Sequence, residues 1–138
     1  MYDKGRENFL IANISWSVGV IKCVLVDTGT YTPVLNTHTH LSDIPAGSRI
    51  ATSAALTAKT VTEGVADAAD VTFTAVTGVS VEALVIYQSS AVTGGVDVAE
   101  SAQRLIAFID TATGLPVTPN GGDISVIWDN GINKIFKL

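Results

Sequence analysis

The chain has 138 residues, a formal net charge of −5, and 47% hydrophobic against 15% charged residues, enough apolar material for one domain with its own core. A mean hydropathy of +0.40 excludes a disordered chain, which fails to fold for lack of apolar area. The 13 acidic against 8 basic residues argue against a nucleic-acid partner, because dispersed cations amid excess carboxylates repel a polyanion.

With 17 Val and 16 Thr the composition favours a pleated sheet, where stiff β-branched side chains pack better than in a helix. The single Cys23 allows no internal disulfide. No run approaches the roughly 20 apolar residues of a membrane helix. Residues 1–8 lack the basic start, apolar stretch and small-residue cleavage site of an export leader, so neither membrane nor export is expected.

The first predicted element is a short helix over residues 3–12, capped by Asp3, with Phe9, Leu10 and Ile14 as its apolar stripe. Residues 18–27 follow as a strand apolar on both faces, hence internal to a sheet. After the turn at Thr28-Gly29-Thr30, residues 31–47 read as loop with at most a short edge strand, since Pro33 and Pro45 remove ladder donors. Residues 50–59 hold several alanines, but their threonines and the following Thr60-Val61-Thr62 favour extended chain.

Residues 71–75 alternate strictly and predict a strand with one wet and one dry face, whereas residues 81–87 are apolar on both. The turn signal at Thr77-Gly78 predicts that these two pair as a hairpin. A polar insertion over residues 89–101 precedes a buried strand at 105–109. Ile124 to Trp128, Asn130-Gly131 and residues 132–138 predict a C-terminal hairpin, because Asn-Gly supplies the positive φ of tight turns. About eight short strands spaced by turns predict a mainly β fold, an antiparallel β-sandwich or barrel-like domain with a short N-terminal helix.

Few groups are spaced for chemistry. His38, His40 and Asp43 bring two imidazoles and a carboxylate together, yet a structural zinc site needs four ligands and a catalytic one three with an open position; no metal is expected there. Glu63, Asp67 and Asp70 lack the spacing and glycine of a calcium loop. No G-x-S-x-G elbow is present, and Cys23 lies in an apolar strand where a thiol stays protonated. Gly94-Gly95 and Gly121-Gly122 read as turns rather than phosphate cradles. Trp16 and Trp128 end apolar runs and read as core or interface. No catalytic residue, cofactor or enzyme activity is expected.

The order of motifs is more informative. Phe9-Leu10, Ile14-Ser15-Trp16, Ile21 to Asp27 with Tyr31, His38 to Pro45, Leu56 to Lys59, Asp70 to Phe73, Glu82 to Tyr87, Leu105 to Asp110 and Gly121 to Trp128 run along almost the whole chain. In this order they resemble a family of small structural proteins of tailed-bacteriophage virions, with the poorest match over residues 89–101. The resemblance implies a capsid decoration (cement) protein without enzymatic activity, displayed on the capsid exterior and bound to the major capsid protein. A homotrimer is the expected assembly. The first helix and the 31–47 loop are the expected contacts, through Phe9, Leu10, Tyr31, His38, His40 and Asp43, because loops on a rigid sheet commonly carry recognition. The alternatives are a tail or neck component, and a virion-displayed carbohydrate- or host-binding module using exposed Trp or Tyr rings such as Tyr31 or Tyr87.

Overall fold

The computed structural model describes residues 1–138. One helix, α1 (Asp3–Leu10), precedes the strands β1 (Ile21–Val26), β2 (Arg49–Thr52), β3 (Thr60–Thr62), β4 (Val65–Asp67), β5 (Val71–Phe73), β6 (Ala83–Gln88), β7 (Ser90–Ala91), β8 (Gly94–Asp97), β9 (Arg104–Ile109), β10 (Ile124–Val126) and β11 (Phe136–Lys137). The fold is mainly β and its ladders are antiparallel, as composition and alternation predict.

A four-stranded sheet ordered β2-β1-β6-β9 forms the centre. β1 and β6 are apolar on both faces because both faces are covered. Ile21, Cys23, Leu25, Leu84 and Ile86 enter a larger core of 17 buried residues; Val24, Val26, Val85 and Tyr87, one position out of phase, enter a second core of nine. In β9 the register slips between Ile86↔Ala107 and Tyr87↔Leu105. The extra residue is Ile106, and the bulge turns both Ile106 and Ala107 toward the larger core. A wholly buried side chain such as Ile86 or Leu105 contributes about 1.5–3 kcal/mol by leaving water.

Two small sheets, β10-β5 and β11-β4-β3, close the larger core. They bring in Val71, Phe73, Ala66 and Phe136, with Trp16 and Trp128 from adjoining loops. Trp16 meets Phe136 edge-on at 5.2 Å, an arrangement favoured by the ring quadrupoles. The indole N–H of Trp16 donates to the Asp67 carbonyl and that of Trp128 to the Ala69 carbonyl, so both rings are core, as expected. On the opposite side the second core is covered by residues 31–47, an irregular segment that holds the 3-10 turn Leu41–Asp43 and runs into a second, Ala46–Ser48. Its short edge strand is reduced to a single bridge, His40↔Arg104.

Several expectations are corrected. The helix stops at Leu10, and Asp3 is its first helical residue rather than its cap, its carboxylate accepting from Arg6. The buried face is not Phe9-Leu10-Ile14 but Gly5 and Asn8. A Cβ at Gly5 would lie 2.9 Å from the carbonyl oxygens of Leu105 and Ile106, so the helix sits against the backbone of β9 itself and only glycine fits. Ile14 is buried beyond the helix end, and Leu10 is 87% exposed. β5 does not pair with β6, whose two edges are taken by β1 and β9; it pairs with β10. The C-terminal hairpin is also absent: Trp128 donates its backbone N–H to Asp70, Asp129 caps the Gly131 N–H, and the chain continues to β11 beside β4.

Candidate functional site: the loop face and an apolar groove

The residues expected to make contacts fall into two groups. Tyr31, His38, His40 and Asp43 share the 31–47 segment, while Phe9 and Leu10 end the helix. Phe9 is half-buried, its ring 6.1 Å from Phe136, so of the pair only Leu10 faces solvent. Tyr31 is buried. Its hydroxyl lies 3.0 Å from that of Tyr2 and 2.9 Å from Nδ1 of His38, and its ring stacks on the imidazole at 5.5 Å. Burial raises the pKa of both phenols. These groups fasten the loop to the chain ahead of α1. Tyr31 thus acts from beneath the surface, and His38, His40 and Asp43 supply the outward polar atoms.

Asp43 organises the first 3-10 turn. Its Oδ2 accepts the backbone N–H groups of Thr39 at 2.7 Å and His40 at 2.9 Å. Burial alone would raise the carboxyl pKa; the two N–H bonds and the neighbouring imidazoles of His38 and His40 outweigh it and hold the pKa below its ordinary value. No three His, Cys, Asp or Glu side chains converge on a common point. Cys23 is wholly buried, which pushes its thiol pKa up to about 12 and removes the thiolate a nucleophile needs.

The segment after β6 is polar in sequence yet begins inside the molecule. Gln88, Ser89 and Ser90 are fully buried. The Gln88 amide accepts the Ser15 N–H and donates to the carbonyls of Asn13 and Ser90, tying the chain after the helix to the end of β6. Sequence reasoning missed this cluster. The available signal was a glutamine directly continuing a strand apolar on both faces. The following β7–β8 hairpin and 3-10 turn (Glu100–Ala102) are held down by Lys22–Asp97 and Arg49–Glu100 ion pairs.

At the other end of the central sheet a groove of about 800 Å³ opens beside β10, within the size range of binding clefts. Leu25, Leu84 and Ile109 of the central sheet line it together with Ile124, Val126 and Trp128. The charged groups at its margin serve local structure: Asp123 accepts the Ala75 N–H, Asp129 the Gly131 N–H, and Lys134 pairs with Asp67. The lining is therefore suited to burying apolar surface rather than to moving protons. No helix is long and apolar enough to cross a membrane. No family model matches this chain, and no curated protein matches it at a significant level.

Proposed function

We propose that the chain is a non-enzymatic structural protein of a tailed-bacteriophage virion: a capsid decoration (cement) protein that docks on the major capsid protein from the capsid exterior. Two supports carry the reading: the ordered motifs that resemble that family, and the distribution of large side chains. The second is the observation that supports it from the structure. All five Tyr and Trp rings (Tyr2, Trp16, Tyr31, Tyr87 and Trp128) are buried, while the most exposed large side chains are aliphatic: Leu10, Val96 and Ile132, each at 87%, and Ile127 at 73%. Exposed aliphatic side chains gain by being covered against another protein surface, because removing apolar area from water is favourable. A glycan-binding module needs a ring face open to the sugar, and the burial of Tyr31 and Tyr87 leaves neither ring face open for stacking.

The proposed assembly is a homotrimer whose copies each touch one capsid subunit. Three contacts of about 100 μM, linked at an effective concentration of about 10 mM, give an overall constant near 10 nM. Weak individual contacts through Leu10 and the outward atoms of the 31–47 loop are then sufficient. The test is co-sedimentation of purified protein with shells of the matching major capsid protein, followed by electron microscopy of intact particles. Saturable density on the shell is expected. Protein left in the supernatant overturns the reading, and density confined to tail or neck replaces the shell by that location.

A further inference from the structure

β3 ends the β11-β4-β3 sheet, and no strand lies along its outer side. All three of its residues are exposed, Val61 by 58%. The neighbouring ladder fixes where its backbone points. The Ala66 carbonyl accepts the Ile135 N–H on the β11 side, so the Val61↔Ala66 pair is a non-hydrogen-bonded one, because such pairs alternate along an antiparallel ladder. The N–H and C=O of Val61 therefore face the free edge. Beyond β3 the chain turns sharply at Glu63 and Gly64, both at positive φ, as a two-residue hairpin requires.

The sequence across this edge is Lys59-Thr60-Val61-Thr62-Glu63, symmetric in side-chain type about Val61 and opposite in charge at its ends. Neither Lys59 nor Glu63 belongs to an ion pair within the chain. Lys59 donates to the Gly19 carbonyl, which leaves two of its three N–H groups free for another acceptor.

We propose that two copies of this chain join through β3, antiparallel about a two-fold axis at Val61, merging two three-stranded sheets into one of six strands. Each Val61 exchanges N–H···O bonds with its twin, Thr60 stands opposite Thr62 of the second copy, and Lys59, just before the strand, comes near Glu63 in the turn just after it at both ends. Charge selects this occupant and this direction. Parallel pairing of the same segments sets lysine against lysine and glutamate against glutamate, which is destabilising across a ladder. A two-fold contact closes on itself, so it satisfies both free edges without growing into a fibre. The contact uses neither α1 nor the 31–47 loop, and a two-fold here is compatible with the three-fold of the proposed trimer in one closed hexamer of two trimers, so it stands or falls separately from capsid docking.

The experiment is oxidative cross-linking of the full chain carrying Val61→Cys. The native Cys23 is buried, and hydrogen-bonded residues across an antiparallel ladder lie about 5.5 Å apart at Cα, within disulfide reach. Dimer yield with glutathione disulfide is expected to exceed that of the exposed control Thr74→Cys at least about tenfold. Adding Glu63→Lys, which sets lysine against lysine, is expected to remove most of that excess, and Lys59→Glu together with Glu63→Lys to restore it. Because Lys59 also holds Gly19, a second reading avoids changing it: in the Val61→Cys protein alone, yield should fall several-fold between about 0.02 and 1 M salt as screening weakens the end charges. Equal cross-linking at positions 61 and 74, or a yield indifferent to both Glu63→Lys and salt, overturns the proposal.

Discussion

The two faces of the central sheet are built from the same strands but are closed in different ways. The larger core is capped by short strands bearing Phe73, Ala66, Phe136 and the two indoles, and its covering backbone is tied largely by ladder bonds. The second core is capped by a loop whose backbone has almost no ladder, so side chains replace it: Asp43 takes two N–H groups, Thr30 bonds Ser48, and Tyr31 bridges Tyr2 and His38. Alternation of apolar residues records that a face is buried, not what buries it. A face closed by ladders resists as a unit; one closed by individual polar contacts opens piece by piece.

That contrast is broken or sharpened by five measurements. The largest effect is expected from Ile86→Ala, which empties a fully buried position in the larger core and should lower global stability by about 2–5 kcal/mol in denaturant unfolding; a loss confined to hydrogen exchange of one strand would refute the unitary face. Next comes Tyr31→Phe. It strips a partner from Tyr2 and His38 and is expected to cost about 1–3 kcal/mol, read as faster exchange of residues 31–44 while β5 and β10 stay protected.

Asp43→Ala removes one acceptor serving two N–H groups and is expected to cost about 1 kcal/mol, with the Thr39 and His40 amides exchanging faster. The pH dependence has a definite sign. The carboxyls of Asp43, Asp97 and Glu100 all have folded pKa values lowered from their ordinary ones. Asp97 is lowered chiefly by its bond from Lys22 and Glu100 by its bond from Arg49. A lowered carboxyl stabilises the fold above its unfolded pKa of about 4 and loses that contribution as pH falls through the folded value. Acidification below about pH 4 should therefore loosen the loop face first, and simultaneous loss of both faces would break the comparison. The smallest effect belongs to Glu100→Gln, whose partner pair with Arg49 is partly exposed; about 1 kcal/mol or less is expected, diminishing with salt.

Much of this architecture is legible from residue order. Residues 18–27, 81–87 and 105–109 predict strands apolar on two faces, and they are the three strands richest in core. Residues 31–47 predict a loop, and 60–62 extended chain. Partner choice was not legible. The Thr77-Gly78 signal marks a bend correctly, but β6 has ladders of six and five residue pairs on its two sides, against which three-residue β5 cannot compete. Asn130-Gly131 carries hairpin chemistry, yet the Asp70 and Ala69 bonds to Trp128 pull the preceding segment elsewhere. The helix misled for a similar reason. A stripe of Phe9, Leu10 and Ile14 outweighs one glycine in any periodicity count, whereas close approach to β9 needs Gly5 and leaves Leu10 outside. Among the expected contact residues, types and segment were readable, but the inward turn of Tyr31 depends on Tyr2, distant in sequence.

The central sheet also constrains how the chain reaches its native state. Ile21 of β1 finds its ladder partner in Gln88, and β6 in turn needs β9, so the sheet cannot close until a polypeptide emerging from the ribosome has exposed most of its length. Until then β1 can pair only with β2 along one edge, and its other edge and much of its apolar surface stay uncovered. Topologies dominated by such distant pairings fold in milliseconds to seconds rather than microseconds and expose sticky intermediates on the way. Slower translation ahead of β6 should therefore increase misfolding, and a chaperone that shields residues 21–26 should relieve it.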